Sequence, residues 1–238
     1  MKIFGIDPAL ASTGWAVLEV PENCPVPSSP APDWLQAKLK KPGLHNHSDY
    51  NILASGTIYQ KDTKVPNLIR CGNTQRQILA MIDVHQPDLI AIEAQLSEGE
   101  SRFVAGVVVQ SLILNPFLPQ FCIHPSVKHV MTFHPIRLQG AAHGERSTEP
   151  SVVTQRVHQL WPGGRISVHA ADAILLAYHL HRFYRVEVSK DMPVTVLSEK
   201  EKHYFYHPKD GMVAKGRQVW WPTRDTSLTV TGTSPPQT

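Results

Sequence analysis

The pattern of apolar and polar positions in the first 60 residues indicates three β-strands. Residues 2–7 and 15–20 are mostly apolar, and they predict two strands joined by a turn that contains Gly14. The strand pattern returns in "NILASGTIYQ". The economical interpretation is a three-stranded antiparallel meander.

Helical spacing then replaces the strand pattern. In residues 67–85 apolar side chains recur at intervals of about three or four positions, and "QPD" ends this helix before the apolar stretch "LIAIEA". A helix that leads into a continuous apolar strand predicts an α/β arrangement in which both faces of that strand are covered.

The next stretch predicts elements of both kinds. Residues 102–114 predict a helix with the small residues Ala105 and Gly106 on one side, followed by a short strand at "FCIH" and a helical turn at "PSVKHV". Helix-start residues open "STEPSVVTQRVHQLW", and "VHAADAILLAYHLHRFYRV" predicts a second long helix with an apolar face.

Two segments interrupt or extend this core. Six of the 20 prolines fall between Pro21 and Pro42, so residues 21–50 are predicted to be an inserted loop. We therefore expect one α/β domain over residues 1–187, and a small C-terminal β extension with a tail over residues 188–238. The extension mixes basic and aromatic residues, which suits either DNA contact or packing on the core.

Composition and charge limit the possible functional classes of the protein but do not select one. A net charge of +3 permits a polyanionic partner but is far from the basic excess that would announce one. The three cysteines are scattered and form no metal-binding spacing, which favours a reducing compartment. With no apolar run long enough to span a bilayer, we expect no membrane partner, and a cytoplasmic location or the DNA-containing compartment of the host.

Two predicted strands end in carboxylates. Asp7 follows "IFGI", and Glu93 closes "LIAIE". Burial of an unpaired carboxylate costs several kcal/mol, roughly, unless a cation or a donor meets it. Each residue alone has an ordinary interpretation, since an Asp-Pro turn or a strand end that reaches solvent would explain it.

A helix-borne pair adds to these carboxylates. His169 and Asp172, in "HAADA", are three positions apart and therefore lie on the same face of the predicted helix. Helix-start chemistry alone would explain the pair. Together with Asp7 and Glu93, however, they form the oxygen-rich set that suits Mg²⁺, and the imidazole predicts activity with Mn²⁺ as well. Paired ions of this kind hydrolyse phosphodiesters without a nucleophilic side chain.

These motifs resemble the RuvC-type Holliday junction resolvases of the ribonuclease H-like superfamily. "GIDPALASTGWAV" is similar to the family's first motif, "AIEAQ" to the second and "HAADAILLAYHL" to the last, in the family's order. The resemblance implies a mixed five-stranded α/β sheet, made of an antiparallel meander plus parallel strands and flanked by helices. It also implies a homodimeric, magnesium-dependent endonuclease that resolves four-way DNA junctions by paired nicks, with Mn²⁺ able to substitute.

The resemblance further implies roles for individual residues. The catalytic metal-binding set becomes Asp7, Glu93, His169 and Asp172. Lys128, in "PSVK", becomes a catalytic basic residue that contacts DNA near the scissile phosphate. Further candidates for DNA contact are Arg102, Arg146, with Arg137 or His143 as substitutes, and Leu96, which stands where members of the family often have an aromatic residue.

Other functions remain open at this point. A ribonuclease acting on RNA–DNA hybrids, a nuclease for other branched DNA, or a catalytically inactive junction-binding protein would share the same carboxylates. An actin-like ATPase is disfavoured because the chain has no second phosphate-binding hairpin and no Gly-Gly-rich nucleotide motif. The resemblance also allows a branch-migration motor as a partner, although no residue of this chain identifies one.

Overall fold

A computed structural model describes residues 1–20, 50–93, 126–133, 153–155, 157–158, 161, 165–193 and 221–222. Its strands are β1 (Lys2–Asp7), β2 (Ser12–Glu19), β3 (Asn51–Tyr59), β4 (Leu89–Glu93), β5 (His129–Phe133) and β6 (Trp221–Pro222). Its long helices are α1 (Asn67–His85) and α2 (Val168–Glu187).

The strands form one mixed sheet in the order β3-β2-β1-β4-β5-β6. β1, β2 and β3 are antiparallel neighbours, and β4 and β5 continue the sheet parallel to β1. The predicted meander with added parallel strands is confirmed. The two residues of β6 pair with β5 and add a short sixth strand, so Trp221 and Pro222, in the predicted C-terminal extension, belong to the same sheet.

Each long helix covers one face of this sheet. Strand residues alternate between the faces, so Ile3 and Ala91 pack on the α2 side, whereas Phe4 and Ile92 pack on the α1 side. β4 is therefore buried on both faces, as its continuous apolar sequence predicted. This arrangement fixes which side chains at the strand ends face α2.

Two local predictions are wrong. β2 begins at Ser12, so Gly14 lies inside the strand instead of in the turn before it. The segment predicted as a helical turn, residues 125–130, ends in the first two residues of β5, because His129 and Val130 pair in parallel with β4, where Val130 is fully buried. The helix at 102–114, the strand at 121–124, the insertion up to residue 49 and most of the tail lie outside the described residues.

The second long helix differs from its prediction in burial. α2 was expected to have one apolar face, yet most of its length is buried, including the polar side chains of His179, His181 and Arg182. Burial, with Arg185 and Arg182 nearby, lowers the pKa of His181 to about 3, and its Nδ1 lies 2.7 Å from the hydroxyl of Tyr50. Within the described residues, no helix has the length and apolar character needed to cross a membrane.

Candidate active site

The carboxyl ends of β1 and β4 bring two acidic side chains to the same edge of the sheet. Ile6 pairs with Ile92, so Asp7 and Glu93 are the next pair in register. Adjacent strands are about 4.8 Å apart, and side chains in register on parallel strands point to the same face. Asp7 contacts α2, so Glu93 belongs to the α2 face as well.

Two glycines allow α2 to approach this edge closely. A Cβ atom on Gly5 would lie 1.9 Å from the carbonyl oxygen of Ala173, and one on Gly14 would lie 2.0 Å from that of His169. No other residue type leaves enough space for the helix backbone at these points. The first turn of α2 is therefore seated directly on β1 and β2.

The start of α2 is also fixed to β3. The Ser167 side chain caps the helix by accepting from the backbone N–H of Ala170 at 3.2 Å, and its hydroxyl is bonded to that of Thr57. This bond links the start of the helix to β3. On α2, His169 and Asp172 face the end of β1.

His169 and Asp7 are in direct contact. Nδ1 of His169 lies 2.7 Å from Oδ2 of Asp7, and Nε2 lies 2.8 Å from Oγ of Ser12. The Asp7 side chain is almost wholly buried, whereas that of His169 is 38% exposed, so the ring forms part of an accessible surface. The hydrogen bond to Asp7 raises the pKa of His169.

The pKa of Asp172, three positions after His169 on α2, is raised. Burial, followed by the nearby charge of Asp7, raises the pKa of Asp172 to about 7, while His169 opposes that shift. Two carboxyls that share a poorly solvated space favour either a proton or a cation between them. Asp7 and Asp172 therefore form an acidic site that would favour a bound cation.

The loop between β1 and β2 is held in place beside this cluster. The hydroxyl of Thr13 bonds to both backbone groups of Ala9, and the buried Arg70 of α1 donates to the carbonyl of Gln60 at 2.8 Å and to that of Leu10 at 3.5 Å. Sequence reasoning missed Ser12 and Arg70. Their roles depend on contacts between distant segments, and no local pattern signals such contacts.

The structure does not bring Lys128 to the cluster. Lys128 immediately precedes β5, and its backbone N–H donates to Asp88, which immediately precedes β4, at 2.7 Å. Its ammonium group lies 2.8 Å from Oδ1 of Asp88. Both residues stand at the amino ends of parallel strands, whereas Asp7 and Glu93 stand at carboxyl ends. The role of Lys128 near a scissile phosphate stays a prediction.

The remaining predicted site residues, Leu96, Arg102 and Arg146, lie outside the described residues. Among the residues that the structure describes, no three His, Cys, Asp or Glu side chains are grouped so that they could already hold a metal ion. The cluster in this structure is a hydrogen-bonded one, with Asp7 and His169 in contact and Asp172 near them.

Comparison of the sequence and the structure with known proteins shows which fold this chain has. No family model matches the sequence, and no curated protein is significantly similar to it. The structure of Thermus thermophilus RuvC is similar over 78% of this chain and 96% of its own length, with a TM-score of 0.52 and 18% identity. This chain has the RuvC fold.

Two further structures that are similar to this chain contain Holliday junction DNA. Thermus thermophilus RuvC in complex with a Holliday junction substrate has the same TM-score of 0.52 and identity of 18%, and covers 77% of this chain and 94% of its own. The fowlpox virus resolvase with its junction DNA covers 76% and 98%, at a TM-score of 0.40 and 11% identity, which by itself does not establish a shared fold. At these identities, the likeness to RuvC establishes the fold alone.

The donor set of the cluster fits a divalent cation on chemical grounds. Asp7, Glu93 and Asp172 offer the hard oxygen ligands that Mg²⁺ and Mn²⁺ take, and His169 offers a nitrogen that Mn²⁺ accepts well. Burial, followed by the charge of Asp7, raises the pKa of Asp172, and a bound cation would favour its ionised form. A cation there would require His169 and Asp7 to exchange their mutual hydrogen bond for it.

Proposed function

We propose that this protein is a metal-dependent endonuclease that resolves four-way DNA junctions by paired, symmetric nicks. One observation carries the proposal: β1 and β4 end side by side, and α2 places His169 and Asp172 at the end of β1, on a sheet with the RuvC fold. The RuvC structure found with a Holliday junction supports the choice of substrate.

In this proposal Asp7, Glu93, His169 and Asp172 hold Mg²⁺, or Mn²⁺ in its place. The bound ions would activate a water molecule and stabilise the leaving oxygen of a phosphodiester. Asp7 serves as the central ligand because it is buried and contacts His169 directly. His169 and Asp172 close the site from the helix side, and their placement by the seated first turn of α2 limits how far they can move.

The two-fold symmetry of the substrate supports a homodimer. Two active sites related by a two-fold axis would meet two symmetric strands of a four-way junction, so paired nicks follow from geometry. The net charge of +3 is modest, so selectivity is expected to come from the shape of the junction, while affinity comes from phosphate contacts and falls as salt rises.

The test is cleavage of a synthetic four-way junction beside duplex, flap and RNA–DNA hybrid controls, each with Mg²⁺ and with Mn²⁺. Symmetric nicks in the junction alone are expected. Replacement of Asp7 by Asn should retain junction binding and reduce cleavage by more than the roughly 10- to 100-fold that the loss of an outer-shell partner costs. Asp83→Asn, which removes an exposed carboxylate of α1, is the matched control.

The outcomes separate the competing functions. Cleavage of the hybrid in preference to the junction would identify a ribonuclease, and junction binding without cleavage under either metal would identify an inactive binding protein. If Asp7→Asn loses binding together with cleavage while Asp83→Asn retains both, Asp7 stabilises the fold and does not act as a metal ligand. Sedimentation of the protein with and without junction DNA measures the oligomeric state.

A further inference from the structure

Ser12 contacts the imidazole of His169 on the side away from Asp7. Its Oγ lies 2.8 Å from Nε2, while Nδ1 of the same ring lies 2.7 Å from Oδ2 of Asp7. Both ring nitrogens are therefore held, one by the last residue of β1 and one by the first residue of β2. These two contacts together fix the plane of the ring, which a single hydrogen bond would not do.

The chemistry of the two partners assigns the donors. A carboxylate only accepts hydrogen bonds, so Nδ1 donates to Asp7. A hydroxyl both donates and accepts, so Ser12 can donate to Nε2 of the neutral ring or accept from Nε2 of the imidazolium. The contact is thus compatible with either protonation state, and it keeps Nδ1 directed at Asp7 in both.

We infer that Ser12 is a positioning residue for His169, which rests on the proposed function because the inferred purpose is metal binding. A histidine that ligates a metal usually has a hydrogen-bond partner on its other ring nitrogen, and the loss of that partner typically weakens metal affinity or activity about 10- to 100-fold. Ser12 occupies this position. It holds the ring so that Nδ1 stays on the same side as the carboxyls of Asp7 and Asp172.

The same three residues have the order of a serine hydrolase relay, with serine on Nε2 and aspartate on Nδ1. Electrostatics favour positioning over nucleophilic attack. Acyl transfer develops an oxyanion, which requires donors or positive charge nearby. Asp172, close enough to Asp7 for its pKa to be raised, and Glu93 on the neighbouring strand would instead oppose a negative charge and attract a cation.

The test uses two variants of nearly equal shape. Ser12→Thr keeps the hydroxyl and Ser12→Val removes it, so steric effects are matched. Thr57→Val is the control for general loosening, because it removes the bond between β3 and the Ser167 cap without touching His169. Circular dichroism and thermal unfolding establish that each variant folds.

Two measurements on the purified full chain without DNA decide the inference. Long-range ¹H–¹⁵N NMR of the imidazoles should show altered nitrogen shifts for His169 in Ser12→Val but not in Ser12→Thr or Thr57→Val. Calorimetric titration with Mn²⁺ should show affinity about tenfold or more weaker in Ser12→Val, with Ser12→Thr retaining most of it. Junction cleavage should follow the Mn²⁺ affinity.

Several results would overturn the inference. Unchanged His169 shifts and Mn²⁺ affinity in Ser12→Val would do so, as would equal losses in Ser12→Thr or Thr57→Val. Covalent labelling of Ser12 by a fluorophosphonate would show that it is a nucleophile. If the wild-type protein neither binds Mn²⁺ nor cleaves DNA, the proposed function fails, whereas the NMR comparison still decides whether Ser12 holds the ring.

Discussion

At the scale of single residues, the role of a carboxylate such as Asp7 depends on the side chains that surround it. Asp7 follows an apolar strand, and on its own it could be a turn residue. The structure buries it against His169 and near Asp172, where a second carboxyl raises the electrostatic cost. An arrangement of this kind destabilises the metal-free fold, as is common at functional sites, where stability is given up for activity.

Replacement of Asp172 by Asn is expected to stabilise the metal-free protein at alkaline pH. The folded-state pKa of Asp172, about 7, lies above its unfolded value, so the folded state keeps a proton that the unfolded chain has already released. The carboxyl therefore destabilises the fold increasingly as pH rises towards 7, and fully above it. Asn does not titrate and avoids this cost.

Thermal unfolding in EDTA measures this effect. The melting temperature of Asp172→Asn should exceed that of the wild type at pH 8, and the difference should shrink towards pH 4. The exposed variant Asp83→Asn should not show this pattern. Equal melting temperatures of wild type and Asp172→Asn at pH 8 would contradict the raised pKa, and retained cleavage by this variant would contradict its assignment as a ligand.

At the scale of elements, the site depends on how closely α2 approaches the sheet. Gly5 lies in the middle of β1 and faces the backbone of Ala173, while Gly14 faces the backbone of His169. Small residues at both crossing points bring the first turn of the helix to the strand ends. A wider separation would move His169 away from Asp7.

Replacement of Gly5 by Ala is expected to destabilise the fold by roughly 1–3 kcal/mol, because the new Cβ would collide with a backbone carbonyl that cannot move independently. Cleavage should fall with it as the helix is displaced. Gly72→Ala is the opposite case: a Cβ there meets nothing within 4 Å, and in the interior of α1 alanine should add up to about 1 kcal/mol of stability.

Chemical denaturation of the two variants beside the wild type measures both changes. A Gly5→Ala protein as stable as the wild type, with full activity, would show that α2 does not need this close approach. A destabilised Gly72→Ala protein would indicate that some other part of the chain covers that position.

At the scale of the whole molecule, the carboxyl ends and the amino ends of the parallel strands carry different groups of charged residues. The carboxyl ends of β1 and β4 carry the acidic cluster. At the amino ends, Asp88 accepts from the backbone N–H of Lys2 and from the ammonium of Lys128, each at 2.8 Å, and so links β1, β4 and β5. These hydrogen bonds, with the charge of Lys128, outweigh the effect of burial and lower the pKa of Asp88.

Replacement of Lys128 by Ala is therefore expected to have small effects. Its side chain is 62% exposed, so loss of the ion pair should cost no more than about 1 kcal/mol. Cleavage per folded molecule should stay within roughly twofold of the wild type, as for most surface substitutions. A loss near 100-fold would instead support the predicted role of Lys128 in the active site, since that is the size expected for removal of a transition-state contact.

Arg137 is the comparison for this experiment. It follows Phe133, at the carboxyl end of β5, by four positions in the sequence. Like Lys128, it is a basic residue that the resemblance singled out. Junction cleavage by Arg137→Ala and Lys128→Ala, measured side by side at equal folded concentration, separates the two assignments.

The sequence by itself determined the local elements and the acidic set. Alternation and helical spacing predicted β1, α1, β4 and α2 almost to the residue, since these elements have long apolar patterns with clear ends. The four metal-ligand candidates followed from strand ends, from helix spacing and from a resemblance. The first two of these sources are local patterns and can be seen in one chain.

Only the tertiary structure decided which end of the sheet each residue occupies and which distant groups touch. Lys128 lies at the amino end of β5 because the start of that strand depends on pairing with β4, and pairing is a property of two separate segments. Ser12 gave no signal because a serine at the start of a strand is ordinary until α2 sets an imidazole 2.8 Å from its hydroxyl. Local patterns fix elements, whereas packing between them fixes the site.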